Sequence, residues 1–181
     1  MKKYDIKKFQ ISYHPDSATI RKLIELDKSV YNISDIGVYD KCMEWYCKNG
    51  DIYTVLSYQD KPIGYINFMP ITDECYKQYR TGKMHDYEIN KEDIVQFSST
   101  CPNKCIFTSI VVDTKFQNTP ATILLIQALI KKLTKMNAKI SSVLADCVSE
   151  KGLKGFTKFF NAKYICDSLS GKIYEGTIHI K

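Results

Sequence analysis

Apolar positions recur with a helical period early in the chain. Ile6–Tyr13 mixes apolar and polar residues like a modest strand, and Pro15 follows it. From there apolar residues repeat at spacings of three and four, which predicts a helix that Asp16 or Ser17 can cap. The residues that share this spacing are Ile20, Leu23, Ile24 and Asp27.

A second helix and a hairpin follow. Residues Tyr39–Lys48 fit a short helix that Asn49-Gly50 would end. The runs Ile52–Tyr58 and Ile63–Met69 are rich in β-branched and aromatic residues. The turn residues between them predict that these two strands pair in antiparallel fashion.

The segment from Ile71 to Asn103 has the weakest periodicity in the chain. It is polar, with a short helix predicted at Asp73–Tyr79. Because it is long for a connection inside a compact domain, we expect it to be functional or mobile.

The second half alternates strands and helices. Cys105–Val112 is a nearly continuous apolar run, typical of a strand buried on both faces. Thr119 and Pro120 then predict the start of a long helix with an apolar stripe and with lysines near its end, where positive charge favours the helix dipole. The stripe is Ile123, Ile126, Ile130 and Leu133, and the lysines are Lys131, Lys132 and Lys135.

These patterns predict a single α/β (α+β) domain over residues 1–181, with a long irregular insertion at about 71–103. Beyond the long helix we predict a strand at Ile140–Cys147, a helix at Gly152–Phe160, and strands at Lys163–Cys166 and Lys172–Ile180. The central sheet is expected to contain Ile52–Tyr58, Ile63–Met69, Cys105–Val112 and Ile140–Ala145.

Charge and hydropathy narrow the class of protein. The 181 residues carry a formal net charge of +6, but Arg21 and Arg80 are the only arginines and the lysines are scattered. Nucleic-acid binding is therefore disfavoured, because base and phosphate recognition favours clustered arginine. No apolar stretch approaches the roughly 20 residues that cross a bilayer, and no secretory signal is evident. We expect a cytoplasmic protein that makes no membrane contact.

Seven cysteines do not indicate a disulfide framework, since their number is odd and the chain has no secretory character. Cys101 and Cys105, like Cys42 and Cys47, have loosely metal-like spacing but no histidine nearby. Reduced thiols and no bound metal are expected.

The joint between the buried strand and the long helix could bind an anion. A strand, a short loop and a helix start present amides that lack partners within the helix. The loop Asp113–Thr119 has neither glycine nor a Gly-Lys-Ser/Thr sequence, so it is not a nucleoside-triphosphate loop.

The element order and this joint resemble the GNAT superfamily of N-acetyltransferases over nearly the whole chain. The family's approach Val-x-Pro-x-aromatic-Gln corresponds to Val112, Thr114, Phe116 and Gln117. The family's two signature glycines are replaced by Pro120 and Thr122.

The later family stretch Asn-x-x-Ala-x-x-x-Tyr departs further. Gly152 replaces the usual asparagine, and Phe159 replaces the tyrosine that commonly protonates the leaving thiolate. We expect Phe159 and Phe160 to be core aromatics. The resemblance implies a mixed, mostly antiparallel sheet flanked by helices.

The resemblance also implies acetyl-CoA as co-substrate. Backbone groups of Ile110, Val111 and Val112 would pair with the pantetheine like an added strand. Amides after this strand would hold the pyrophosphate. Those residues are Gln117, Asn118, Thr119, Ala121 and Thr122.

Candidate catalytic residues are Asp146, as a base, and Ser149, as a cofactor contact or proton relay. By resemblance, the acceptor pocket would involve the first two helices. The candidate substrate contacts there are Tyr31, Asp35, Tyr39 and Trp45.

The resulting prediction is an N-acetyltransferase that moves an acetyl group to a primary amine of a small molecule or peptide by direct attack in a ternary complex. A homodimer is compatible with it. Two alternatives stay open: a catalytically silent acyl-CoA-binding or interaction protein on the same fold, and a lysine-rich nucleic-acid module.

Overall fold

The computed structural model describes residues 4–30 and 38–178. Single 3₁₀ turns occur at Ile6–Lys8, Asp86–Glu88, Lys91–Asp93 and Thr114–Phe116. The strands and helices are β1 Phe9–Ser12, α1 Ser17–Asp27, α2 Tyr39–Lys48, β2 Tyr53–Tyr58, β3 Lys61–Ile71, α3 Asp73–Tyr79, β4 Asn103–Val112, α4 Ala121–Lys135, β5 Ile140–Asp146, α5 Glu150–Phe160, β6 Lys163–Asp167 and β7 Lys172–Gly176.

The strands form one seven-stranded sheet in the order β1-β2-β3-β4-β5-β7-β6. The β1–β2, β2–β3, β5–β7 and β6–β7 pairings are antiparallel, and β4–β5 is parallel. The parallel register runs from Asn103↔Ile140 to Ile106↔Leu144. The predicted mixed, mostly antiparallel sheet is confirmed.

Contacts group the described residues into two compact units. The first comprises the described parts of Met1–Asn67 and Ser109–Lys132. In it the Asp16 side chain caps α1 by accepting the Thr19 amide at 2.7 Å, and Ile20 and Leu23 are buried as predicted. The bounds of α2 are those that the sequence predicted.

The second unit comprises Phe68–Thr108 and the described part of Leu133–Lys181. The segment predicted to be irregular contains α3, and its Tyr79, Ile89 and Ile94 side chains are fully buried. Ile71 also forms a bridge with Ile94. Much of this segment is therefore part of the core of the second unit.

The apolar stripe predicted for α4 is partly wrong. Ile126 and Leu133 are buried, but Ile123 is exposed and Ile130 is half-buried. Lys132, one of the lysines near the end of α4, is only 5% exposed. The buried face of α4 consists of Ala121, Leu125, Ile126, Ala128, Leu129, Lys132 and Leu133.

The first and last strands are shorter than predicted. Ile6–Lys8 forms a 3₁₀ turn, so β1 starts at Phe9. At the other end β7 stops at Gly176, and the Thr177 amide donates to the Phe160 carbonyl at 2.7 Å. A Cβ on Gly176 would lie 2.5 Å from that carbonyl oxygen, so the close approach requires glycine.

Candidate functional site

The end of β4 leads into the candidate site within the first unit. Ser109 and Ile110 are half-buried, whereas Val111 and Val112 are buried. These four residues lie beyond the register of β4 with β5, which ends at Ile106. On the β3 side, a Cβ on Gly64 would come within 2.7 Å of the Val111 carbonyl oxygen, so the glycine allows close approach.

The loop after β4 is held by local hydrogen bonds. The Asp113 carboxylate accepts the Lys115 amide at 2.8 Å, and the Phe116 amide donates to the Asp113 carbonyl at 2.7 Å. The Thr119 hydroxyl donates to the Phe116 carbonyl at 2.6 Å and accepts the Ala121 amide at 3.2 Å. Thr119 therefore caps the start of α4, as its sequence position predicts.

Three of the amides predicted to hold a pyrophosphate already have acceptors in this loop. The Gln117 amide donates to the Thr114 carbonyl, and the Thr119 amide donates to the Phe116 carbonyl. The Ala121 amide donates to the Thr119 hydroxyl. Pro120 has no N–H to offer.

The amides of Asn118, Thr122 and Ile123 have no acceptor in the described part of the chain. They surround the first turn of α4, where the helix dipole favours an anion. Asn118 has a φ of 64°, a left-handed conformation that asparagine tolerates better than most residues. The loop can thus bind negatively charged oxygens through two or three amides.

Aromatic side chains, two of them from the N-terminal segment, pack against the loop between β4 and α4. The buried Phe116 ring lies 4.5 Å from the Tyr4 ring, 5.4 Å from Tyr58 and 6.3 Å from Phe9, centroid to centroid. The Tyr4 hydroxyl also donates to the Lys115 carbonyl at 2.9 Å. The conformation of the loop therefore depends on packing as well as on its own sequence.

Two predicted substrate contacts, Tyr31 and Asp35, lie outside the described residues. Tyr39 is the first residue of α2, and the Arg21 guanidinium lies 3.8 Å from its ring centroid. Trp45 is buried. These contacts hold α1 and α2 together and leave Tyr39 half-buried.

Sequence reasoning missed a buried carboxyl group at the end of α1. Asp27 is only 4% exposed, and its Oδ1 accepts the Tyr65 hydroxyl at 2.7 Å. Burial raises the pKa of Asp27 to about 7, against the lowering effect of the Tyr65 hydrogen bond. The available signal was an aspartate that continues an apolar helical stripe after Ile20 and Leu23.

Asp27 belongs to a buried polar cluster, which we call the Asp27 cluster. Tyr53 is hydrogen-bonded with Cys42 and Asn67, and its pKa is raised mainly by burial. The pKa of Cys42 is raised to about 11, again mainly by burial, with Asp27 adding a smaller effect of the same sign. The cluster consists of Asp27, Cys42, Tyr53, Tyr65 and Asn67.

The second unit contains the predicted catalytic residues, and both have structural contacts there. Asp146 ends β5 and accepts the Ser168 hydroxyl at 2.7 Å, while Ser168 accepts the Gly171 amide at 2.7 Å. Asp146 thus anchors the turn between β6 and β7. Ser149 caps α5 by accepting the Gly152 amide at 3.1 Å. Their catalytic roles stay predictions.

The two phenylalanines expected in the core differ. Phe160 is buried, with ring centroids 5.2 Å from Phe107 and 4.7 Å from Phe156. Phe159 is half-buried beside the Lys158 ammonium, so the core expectation is wrong for it. A phenyl ring at this position donates no proton.

A second polar network in this unit centres on Glu175. Its Oε1 accepts the Tyr76 hydroxyl at 2.6 Å and the Ser142 hydroxyl at 2.9 Å, and its Oε2 accepts two N–H groups of Arg80 at 3.1 Å. Burial acts to raise the pKa of Glu175, but the bonds from Tyr76, Ser142 and Arg80 outweigh it and lower the pKa. The network fastens α3 to β5 and β7.

Among residues 4–30 and 38–178, no group of three or more His, Cys, Asp or Glu side chains is placed to hold a metal ion. Within the same ranges, no helix has the length and apolar character needed to cross a bilayer.

No family model and no curated protein matches the sequence. Solved structures do match the fold. PaiA N-acetyltransferase from Thermoplasma acidophilum, in complex with coenzyme A, is 12% identical with a TM-score of 0.59 over 93% of this chain and 98% of that chain. Arabidopsis thaliana Naa50, in complex with the bisubstrate analogue CoA-Ac-MVNAL, is 9% identical with a TM-score of 0.61 over 94% and 99%.

A third neighbour, the GphF GNAT-like decarboxylase in complex with isobutyryl-CoA, is 12% identical with a TM-score of 0.68 over 94% of this chain and all of that chain (100%). The protein therefore has the GNAT fold, as its element order and β4–α4 joint indicated. The three neighbouring structures contain coenzyme A, the bisubstrate analogue and isobutyryl-CoA, respectively.

Proposed function

We propose that this protein is an N-acetyltransferase that transfers the acetyl group of acetyl-CoA to a primary amine of a small molecule or peptide, by direct attack in a ternary complex. The observation that carries the proposal is the set of amides of Asn118, Thr122 and Ile123 without acceptors at the start of α4. Amides so placed suit the pyrophosphate of coenzyme A.

The end of β4 would hold the rest of the co-substrate. Backbone groups of Ile110, Val111 and Val112 would pair with the pantetheine as an added strand. Support comes from the register of β4 with β5, which stops at Ile106, before these residues. One of their amides would polarise the thioester carbonyl and stabilise the oxyanion.

The loss of the two signature glycines reduces the number of backbone amides available to the pyrophosphate more than it changes the backbone conformation of the loop. Asn118 adopts the positive φ for which glycine is usual, so the turn forms without glycine. Pro120 removes one amide, and the amides of Gln117, Thr119 and Ala121 are engaged within the loop. We therefore expect weaker binding than in a loop with all its amides available.

The absence of a tyrosine at Phe159 is compatible with turnover. A thiol with an ordinary pKa of about 8.5 leaves as a thiolate without full protonation. Losing a general acid costs about 10²–10⁴-fold in rate, and less for so acidic a leaving group. Slow but real acetyl transfer is expected.

Calorimetric titration with acetyl-CoA tests the loop through Thr122. We expect Thr122→Glu to weaken binding at least tenfold, because its carboxylate would repel the pyrophosphate. The melting temperature should not fall, since an acidic residue in the first turn of a helix is stabilising. Thr122→Gln is the matched control, with similar size and no charge, and should bind within about threefold of wild type.

If Thr122→Glu and wild type bind acetyl-CoA equally well, the pyrophosphate does not bind at this loop. Binding of acetyl-CoA without transfer to any amine would favour the catalytically silent acyl-CoA-binding alternative. The cytoplasmic location and a homodimer stay predictions.

A further inference from the structure

The Asp27 carboxyl group has an unusual environment for a charged side chain. Tyr65 is its only hydrogen-bond donor in residues 4–30 and 38–178, and no cation pairs with it there. An ionised carboxylate that is buried with so few partners is destabilising. Such groups are concentrated at functional sites, where a perturbed proton affinity is used.

The groups that face Asp27 are uncharged at neutral pH. They are Cys42 from α2, Tyr53 from β2 and Tyr65 from β3. Burial raises the pKa of Cys42 to about 11 and that of Tyr53 well above its usual value, and the Tyr65 hydroxyl donates its hydrogen to Asp27. None of the three therefore competes with Asp27 for a proton near pH 7. Asp27 is therefore the one group of this cluster that changes charge near neutrality.

The strand that carries Tyr65 connects this cluster to the end of β4. Gly64 precedes Tyr65, and a Cβ there would approach the Val111 carbonyl and the Leu125 side chain of α4. Successive side chains of a strand point to opposite faces. Tyr65, and Asp27 bonded to it, thus lie on the face of β3 opposite α4, within the same unit as Ile110–Val112.

We infer that Asp27 takes the proton from the acceptor amine, directly or through one water molecule, with Tyr65 orienting its carboxylate; this inference rests on the proposed function. The acceptor is then an alkylamine that arrives as its ammonium form, drawn to the only carboxylate of the cluster. Asp146 and Ser149 would keep their structural roles.

The chemistry balances with acetyl-CoA and the amine alone. Asp27 accepts one proton from the ammonium, and the freed lone pair attacks the thioester carbonyl carbon. The C–N bond forms, the C–S bond breaks, and the electron pair leaves on sulfur. Of the two protons still on nitrogen, one stays on the amide and the other goes to the thiolate. Asp27 then releases its proton to solvent.

Burial makes Asp27 a better base than an exposed aspartate. A rise of its pKa from 3.8 to about 7 makes proton transfer from an ammonium about a thousandfold less unfavourable. A base is most effective when its pKa lies near the working pH.

The test compares three variants in thiol release from acetyl-CoA, with spermidine, kanamycin, L-lysine and a pentapeptide with a free N-terminus as acceptors. Asp27→Asn should lower kcat/KM by about 10²–10⁴-fold while acetyl-CoA binds as in wild type. Asp60→Asn, the same change at an exposed turn carboxylate, is the matched control and should keep wild-type activity.

Tyr65→Phe separates a proton-accepting role from a structural one. The acid limb of the wild-type pH profile should have a midpoint near pH 7. Losing the Tyr65 hydrogen bond, which lowers the pKa of Asp27, should move that midpoint upward. Activity of Asp27→Asn within threefold of wild type, or an unmoved midpoint in Tyr65→Phe, would overturn the inference.

A measurement without turnover tests the role of Asp27 independently of the rate assay. Carbon-13 NMR of the Asp27 carboxyl should show titration near pH 7, perturbed by at least one of the four amines in the presence of coenzyme A. Titration near pH 4, or no perturbation by any of them, overturns the inference. Failure of acetyl-CoA to bind wild type would instead refute the proposed function.

Discussion

Asp27 and Glu175 each accept a tyrosine hydroxyl, but their pKa values are shifted in opposite directions. In the first unit Asp27 has one donor, Tyr65, and burial raises its pKa to about 7. In the second unit Glu175 is also subject to the raising effect of burial, but donors on Tyr76, Ser142 and Arg80 lower its pKa.

The difference shows that the number of donors and the degree of burial decide the charge state together. The Glu175 anion is stabilised by four hydrogen bonds. Two come from hydroxyl groups, and two come from the cationic guanidinium of Arg80. Asp27 is more buried and has a single neutral donor. The first arrangement fastens secondary structure, whereas the second maintains a group that can exchange a proton near pH 7.

The largest stability effect is expected from Glu175→Ala. The change leaves the hydroxyls of Tyr76 and Ser142 and the Arg80 guanidinium without their common acceptor. We expect the free energy of unfolding in urea to fall by about 2–3 kcal/mol. Glu74→Ala is the control, since this exposed carboxylate accepts one bond from Gln78, and its effect should stay within about 0.5 kcal/mol. Equal effects would contradict the structural role of the Glu175 network.

Asp27→Asn should instead stabilise the protein, by an amount that grows as the pH rises toward and above neutrality. The pKa of Asp27 is about 7 in the folded state and 3.8 ordinarily, so the folded state holds a proton that the unfolded state has released. Stability therefore falls as pH rises from about 4 to 7. We expect Asp27→Asn to raise the free energy of unfolding by about 1–3 kcal/mol at pH 8, below the roughly 4 kcal/mol that the full pKa difference allows. At pH 5 the gain should be much smaller; a gain that does not depend on pH would refute the assigned charge state.

Removing one tyrosine hydroxyl from each carboxyl group tests the difference between Asp27 and Glu175 with smaller expected changes in the free energy of unfolding. Tyr76→Phe leaves Glu175 with Ser142 and Arg80, so we expect a loss of about 1 kcal/mol. Tyr65→Phe removes the one donor of Asp27, so its loss should be greater at pH 8 than at pH 5. Urea unfolding of both variants at the two pH values measures this, and a larger pH dependence for Tyr76→Phe would reverse our assignment.

The elements with strong local signals were predictable from sequence. The bounds of α2 and α3 are those predicted from the sequence, where Asn49-Gly50 indicated the end of α2, and the β2–β3 hairpin follows from its turn. The β4–α4 joint was also identified, because strand, loop and helix start are adjacent in sequence. The sequence did not indicate which amides of the joint lack acceptors, because that depends on hydrogen bonds made by the Thr119 hydroxyl and by local carbonyls.

The buried face of α4 could not be predicted from periodicity. Apolar residues occupy most sides of its first half, so the pattern does not select one face. The burial of Lys132 depends on acceptors far away in sequence: its ammonium donates to the Asp51 and Tyr53 carbonyls at 2.6 and 2.9 Å. Burial lowers the pKa of Lys132 to about 8. Asp27 was missed for the same reason, because Tyr65 lies 38 positions away.

The most direct measurement of the central claim is amine-dependent release of coenzyme A thiol from acetyl-CoA by the wild-type protein. Our account predicts slow release above the hydrolytic background with at least one amine of the panel, with the acetylated amine identified by mass spectrometry. If acetyl-CoA binds and no amine raises thiol release above that background, the protein is not the acetyltransferase that we propose.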